Sequence, residues 1–180
     1  MKTITVPTRD EVSAEAQVYF DLLQKRTGKV ANLYATIGYS SNALKAFLEF
    51  DETLSKGVFT GKEREAIALA VSEINGCAYC LAGHTVAAKM RGFTQEQTLA
   101  IRRGETGDVK LDAVIQLAQS ITINKGNADP ELLNRFFEAG FNEGALMELV
   151  GLVSLRVFTN YAFALTDIPV DFPIADPINL

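Results

Sequence analysis

The chain of 180 residues has no tryptophan, a single histidine, two cysteines and five prolines. Two cysteines three positions apart cannot frame a disulfide-built scaffold. A loop this short constrains little of the unfolded chain, so in a reducing compartment such a pair points to catalysis or metal binding rather than to a staple. Basic residues number 17 against 22 acidic ones, a net charge of -5, and no Lys/Arg cluster stands out. The electrostatic footprint of a nucleic-acid binder is absent. The first residues, MKTITVPTRDEVSAE, hold no apolar run of signal-peptide length, and no window reads as a charge-free stretch of transmembrane length. These absences predict a cytoplasmic protein with no membrane or nucleic-acid partner. Also missing are sustained period-two alternation, an internal repeat, a Gly-rich phosphate loop, a Ser/His/Asp order and a heptad run. What remains is an all-α chain. Apolar residues make up 48% of it, enough for one domain, 1–180, with a substantial core.

Helix signals are frequent. Thr8 and Glu11 form a capping box that predicts a first helix to about Lys25, ended by Thr27-Gly28. A short apolar segment, Val30 to Ile37, precedes a third helix from Ser41 to about Leu54. Thr60 and Glu63 form a second capping box at the start of a helix that is low in charge on more than one face, which gives Glu63 a structural task. Asn75-Gly76 breaks that helix just before Cys77, so the dithiol falls at or near the start of the fifth, which ends near Arg91-Gly92. Thr94 caps a short helix to about Arg102, Leu111 to Ile121 marks a long one, and Asp129-Pro130 opens another. A last helix, Asn142 to about Leu165, is apolar on most sides. That surplus, with the region Phe47 to Phe59, predicts a homo-oligomer. The tail, 167–180, carries Pro169, Pro173 and Pro177 and is expected to be extended over its own subunit or a neighbour.

The chemistry concentrates between Thr60 and Arg91, which hold both cysteines and the histidine. In a helix after Gly76, Cys77, Cys80 and His84 stand at i, i+3 and i+7, on one face within two turns. A zinc or metal-sensing module would use Cys77, Cys80 and His84 with Glu65, Glu73 or water as fourth ligand, although structural zinc sites draw on two separated ligand pairs. A thioredoxin-type motif follows a strand, and here a helix precedes it. Haem attachment needs a histidine directly after the second cysteine, where Leu81 stands. The third reading is a redox dithiol. A helix N-terminus and a neighbouring imidazole both favour a thiolate, His84 is placed to take the Cys80 proton, and Glu65, free of capping duty, is the carboxylate to orient it. Tyr79, inside the motif, either shapes access to the sulfurs or packs.

Glu65-x11-Cys77-x-x-Cys80-x3-His84 resembles the core motif of the alkylhydroperoxidase D-like proteins in the carboxymuconolactone decarboxylase superfamily, most closely the peroxidase-related branch. The likeness extends in looser form around Val30 to Ser40, Ala139-Gly140-Phe141 and Phe158 to Leu165. It implies an all-helical bundle assembled as a trimer or a hexamer. The activity implied is reduction of hydroperoxides through a cysteine disulfide cycle without a cofactor or metal, with electrons from a thiol or dithiol reductant such as a lipoyl or thioredoxin-like protein. Carried over, the resemblance makes Cys80 peroxidatic, Cys77 resolving, and Glu65 and His84 the proton relay. Some members place a second histidine where Tyr79 stands. Relatives that decarboxylate muconolactones lack the dithiol, so the cysteines argue against that activity. General disulfide exchange at the same site is the alternative within redox chemistry.

Overall fold

The computed structural model describes residues 3–178, so the last two residues of the expected tail lie outside it. Among the described residues the structure is all-α. After a 3-10 turn at Arg9–Glu11 come nine helices: α1 (Ala14–Thr27), α2 (Asn32–Ile37), α3 (Ser41–Leu54), α4 (Gly61–Ile74), α5 (Ala78–Met90), α6 (Gln95–Arg103), α7 (Val109–Ile123), α8 (Pro130–Glu138) and α9 (Glu143–Thr166).

Helix α4 is the centre. Its residues Ala66 through Ser72 are all buried, and it packs against α5, α6, α7 and α9. Small alanines on several faces let these neighbours approach, which explains why the sequence shows no single apolar stripe. On one side Ile67 and Val71 meet Val114 and Leu117 of α7, Phe136 of α8, and Leu149 and Leu152 of α9. On another, Ala66, Leu69 and Ala70 meet Leu81 of α5, Ile101 of α6 and Ile115 of α7. A third cluster joins Phe20 of α1, Leu33 of α2 and Leu44 of α3 to Cys77, Tyr79, Cys80 and Ile168 of the tail. At roughly 1.5–3 kcal/mol for each large apolar side chain buried, these clusters hold the helices that carry the site.

The start of α1 differs from expectation. Glu11 accepts hydrogen bonds from the Thr8 backbone and hydroxyl at 2.7 and 2.8 Å, but this pair closes only the 3-10 turn. Val12 is extended, with φ -112° and ψ 164°, and is buried with the third cluster; Ser13 then caps α1 afresh. Burial of Val12 outweighed the local helix signal. The Thr60–Glu63 box does open its helix, as expected, with reciprocal bonds of 2.8 and 3.2 Å.

Helix α9 corrects two further expectations. It is long and apolar enough to cross a membrane by length and composition, a window the sequence reading passed over. It nevertheless packs against α3, α4 and α7 and buries Arg156, Thr159 and Asn160. Gly151 sets the approach of α3, since a Cβ there would lie 3.2 Å from Leu54 Cδ1. The outer face of α9 leaves Met147, Phe158, Tyr161 and Leu165 exposed, with Phe50 of α3, whereas Phe47 and Phe59 belong to the core. The tail runs without helix over its own chain. Asp176 accepts from Gln95 at 2.9 Å through its side chain and from Arg102 at 2.6 Å through its carbonyl, and Asn32 donates to the Pro169 carbonyl at 3.0 Å.

Candidate active site

Asn75 ends α4 and Gly76 adopts φ +61°, a left-handed turn that only glycine makes at no cost. The chain thereby reverses so that Cys77 becomes the N-cap of α5. Its sulfur accepts the Cys80 amide at 3.3 Å, a capping contact usually made by an oxygen. Both thiols are free, and both are buried, at 2% and 4% exposure. One turn further along α5 stands His84, and its Nδ1 lies 2.8 Å from Glu65 Oε2 of α4. The structure therefore brings together the four residues singled out from the sequence. Glu73 is not among them, because its carboxylate takes the Arg102 guanidinium at 2.7 Å.

The two sulfurs are pushed in opposite directions. The Cys77 thiol donates toward Cys80, which lowers the Cys80 pKa; burial opposes this, and the His84 charge, Asn160 and Thr159 reinforce it, bringing Cys80 down from 9.0 to about 7. Cys77 is driven well above the ordinary thiol range by donating that bond, by burial and by the neighbouring Cys80 charge. Near neutral pH Cys80 is therefore the sulfur that ionises, while Cys77 keeps its proton. Burial raises the Glu65 pKa, but the His84 bond and the nearby Arg156 and Arg91 outweigh it and hold the carboxyl below 4.5. An ionised Glu65 needs a donor, so His84 presents a proton on Nδ1 toward it. Nε2 faces the guanidinium of Arg156, with Nη1 at 3.4 Å. Arg156 is itself held by Asp51 of α3 at 2.6 Å.

Several of these groups escaped the sequence reading. Arg156, Thr159 and Asn160 stand at i, i+3 and i+4 on a helix read as apolar on most sides. Three polar residues sharing one face of such a helix are the signal that marks them. Asn160 accepts from Asn75 at 2.8 Å and donates to Ser72 at 3.2 Å, and it acts to lower the pKa of both thiols. Tyr79 packs. Its hydroxyl accepts the Leu33 amide at 3.1 Å and donates to Asp171 of the tail, while its ring lies against Phe163 and Phe172.

A cleft of about 570 Å³ lies on the Glu65 side, lined by Lys62, Glu65, Ala87, Met90 and Arg91. Glu65 thus joins the cleft to His84. Among the described residues no group of three or more His, Cys, Asp or Glu is arranged to hold a metal ion.

Comparison with known proteins places this architecture. The model of the carboxymuconolactone decarboxylase family matches residues 42–120, from α3 through most of α7. An uncharacterized peroxidase-related protein of Ralstonia eutropha JMP134, described as an alkylhydroperoxidase AhpD core, superposes with a TM-score of 0.83 at 17% identity, covering 95% of this chain and 94% of that one. A peroxidase-related protein of Silicibacter sp. TM1040 gives 0.78 at 23% identity over 93% and 92%, and the debrominase Bmp8 gives 0.80 at 18% over 95% and 93%. The uncharacterized protein YdfG of Bacillus subtilis (strain 168) is 23% identical over 114 residues, 62% of this chain and 78% of that one. The span matched by the family model holds the helices that carry Glu65, Cys77, Cys80 and His84, and the fold around them is that of the AhpD-like structures.

Proposed function

We propose that this protein is a thiol-dependent peroxidase in which Cys80 attacks the hydroperoxide, Cys77 resolves, and Glu65 and His84 carry the proton. The observation that carries the reading is the opposite polarisation of two sulfurs three residues apart, beside a His84–Glu65 pair at 2.8 Å. In the first step the Cys80 thiolate attacks one peroxide oxygen; an S–O bond forms, the O–O bond breaks, and sulfur gives up two electrons. The departing alkoxide takes a proton by way of His84 and leaves as the alcohol. Next the Cys77 thiolate attacks the Cys80 sulfenic acid, the S–S bond forms, and hydroxide leaves with a proton as water. A dithiol reductant supplies two electrons to restore both thiols. A reducing, cytoplasmic compartment suits that cycle.

A second redox reading, disulfide exchange with another protein, is disfavoured by burial. A macromolecular disulfide must reach a sulfur in line, and both cysteines are at least 96% covered. A metal-sensing role is disfavoured by the donors, since His84 already faces Glu65 and Arg156. The peroxidase-related neighbours support peroxide chemistry, whereas the debrominase, solved with 2,3,4-tribromopyrrole, shows that this fold also serves another substrate. The exposed face formed by Phe50, Met147, Phe158, Tyr161 and Leu165 supports assembly with further copies as a trimer or hexamer. The test is turnover of an organic hydroperoxide with a dithiol reductant, run beside disulfide exchange and tribromopyrrole reduction. Peroxide consumed with loss of two thiols supports the reading; activity only in one of the other two assays replaces it.

A further inference from the structure

The cleft beside Glu65 is bordered by two cations, Lys62 and Arg91, against one carboxylate. That carboxylate is largely spoken for. Glu65 Oε2 is held by His84 at 2.8 Å, and Oε1 stands 4.0 Å from Arg91 Nε, the outer limit of an ion pair. Among the described residues this is the only ion pair Arg91 makes, and Lys62 makes none; its ammonium rests over the Phe93 ring at 4.4 Å. Glu63, the adjacent carboxylate in sequence, is occupied by the Thr60 amide and hydroxyl at 2.8 and 2.7 Å. The cleft is left with a net positive charge.

Arg91 is nonetheless seated. A Cβ on Gly61, the first residue of α4, would lie 2.7 Å from Arg91 Cζ and collide with Nη1, so the guanidinium lies where any side chain at 61 would stand. The capping box does not ask for glycine there, and glycine is a poor helix former. The other walls are apolar: Ala87, and Met90 at 84% exposure. Cys80, His84 and Ala87 stand at i, i+4 and i+7 of α5, on one face, so the cleft lies along the face that carries the reactive sulfur.

We propose that this cleft binds the carboxylate end of the substrate, with Arg91 and Lys62 as its binding residues, and that the substrate is an alkyl hydroperoxide bearing a carboxylate about 10 Å from the peroxide, the rise of seven residues from Cys80 to Ala87. The assignment rests on the peroxidase reading for the reacting end alone. A guanidinium offers a carboxylate two parallel donors, and a lysine beside it adds charge without demanding a geometry. Met90 and Ala87 give the alkyl chain an adaptable apolar wall.

The test compares kcat/KM for linoleic acid 9-hydroperoxide and its methyl ester, below micellar concentrations and at low ionic strength. The acid-to-ester ratio is the readout, because it cancels changes in the chemistry common to both. Wild-type protein is expected to prefer the acid roughly tenfold, what one hydrogen bond to a charged group supplies. Arg91→Gln should bring the ratio near one. Gly61→Ala should do the same while keeping every charge, since the new methyl displaces the guanidinium. Lys62→Gln should lower it by a smaller factor. A wild-type ratio near one, or a preference that survives Arg91→Gln or Gly61→Ala, overturns the proposal. Decanoate, which cannot react, supplies the second arm by titration calorimetry. Its affinity should fall about tenfold in Arg91→Gln and Gly61→Ala; no binding, or binding indifferent to both, overturns the proposal. Failure of the peroxidase reading looks different. In that case wild-type protein consumes neither peroxide, and the decanoate titrations decide alone whether the cleft is a carboxylate site.

Discussion

The dithiol has two polar flanks, and they differ in kind. Toward α4 and α9 lie Glu65, His84, Ser72, Asn75, Arg156, Thr159 and Asn160, all carried on helices or their caps, with Ser72, Arg156, Thr159 and Asn160 buried. Toward α2 and the tail lie Tyr79, Lys29, Asn32 and Asp171. Here Asp171 accepts from Lys29 at 2.9 Å and from the Tyr79 hydroxyl, and Lys29 rests over the Phe172 ring at 4.1 Å. The first flank acts on the sulfurs, since Asn160, Thr159 and His84 all bear on the Cys80 thiol. Nothing in the second flank is among the influences on either cysteine; it ties the tail over the first turn of α5. A motif residue at the centre of Cys-x-x-Cys, Tyr79, belongs to the structural flank, and Asn160, 80 positions after Cys80, belongs to the chemical one. Proximity in sequence is a poor guide to which side chains tune a thiol.

The comparison is broken most severely by removing the sulfur itself. Cys80→Ser is expected to abolish reaction with hydroperoxide, measured as single-turnover peroxide loss, while Asp171→Asn leaves that reaction within a fewfold of wild type. Next come the acid–base partners. His84→Ala and Glu65→Gln should each slow the first step by about 10²- to 10⁴-fold without removing it, the range for a positioned proton-transfer group. A slowing of that size from Tyr79→Phe would erase the distinction between the flanks.

A smaller effect sharpens it. The Cys80 pKa lies near 7 chiefly because Cys77 donates to it, so the alkylation rate of Cys80 should rise with pH to a midpoint near 7 in the wild-type protein. Cys77→Ala removes the donor and moves that midpoint up toward the ordinary 9.0. Linkage gives the sign for stability. A folded pKa below the unfolded one adds stability that is present above about pH 9 and is lost as pH falls through about 7. Denaturant unfolding of Cys77→Ala, which lacks the opposing Cys77 titration, should therefore show a weaker rise between those values than Cys77→Ser, whose hydroxyl can still donate. The smallest effect falls on the structural flank: Tyr79→Phe should cost about 1–3 kcal/mol of stability by orphaning the Leu33 amide, with the Cys80 titration unmoved.

How much of this was legible in the sequence follows from the same division. A close cysteine pair and a sole histidine stand out by rarity, and the Glu65 assignment followed once the Thr60–Glu63 box had claimed the other nearby carboxylate. Helix ends were legible where cap and glycine agreed, as at Asn75-Gly76. Two things were not. Whether Thr8–Glu11 begins a helix depends on the burial of Val12 by residues distant in the chain, and the polar face of α9 is hidden in a composition dominated by leucine, valine and phenylalanine. Its partners, Asp51, Ser72 and Asn75, lie more than 80 positions away, so only packing shows why those polar groups are buried.

The central claim is that Cys80, not Cys77, meets the peroxide. Cys77→Ser protein, reduced and then exposed to one equivalent of an organic hydroperoxide with a sulfenic-acid trap, should yield a single adduct on Cys80 by peptide mass spectrometry. The reciprocal Cys80→Ser protein should yield none. An adduct on Cys77 in Cys80→Ser, formed as fast as the Cys80 adduct in its counterpart, would contradict the account.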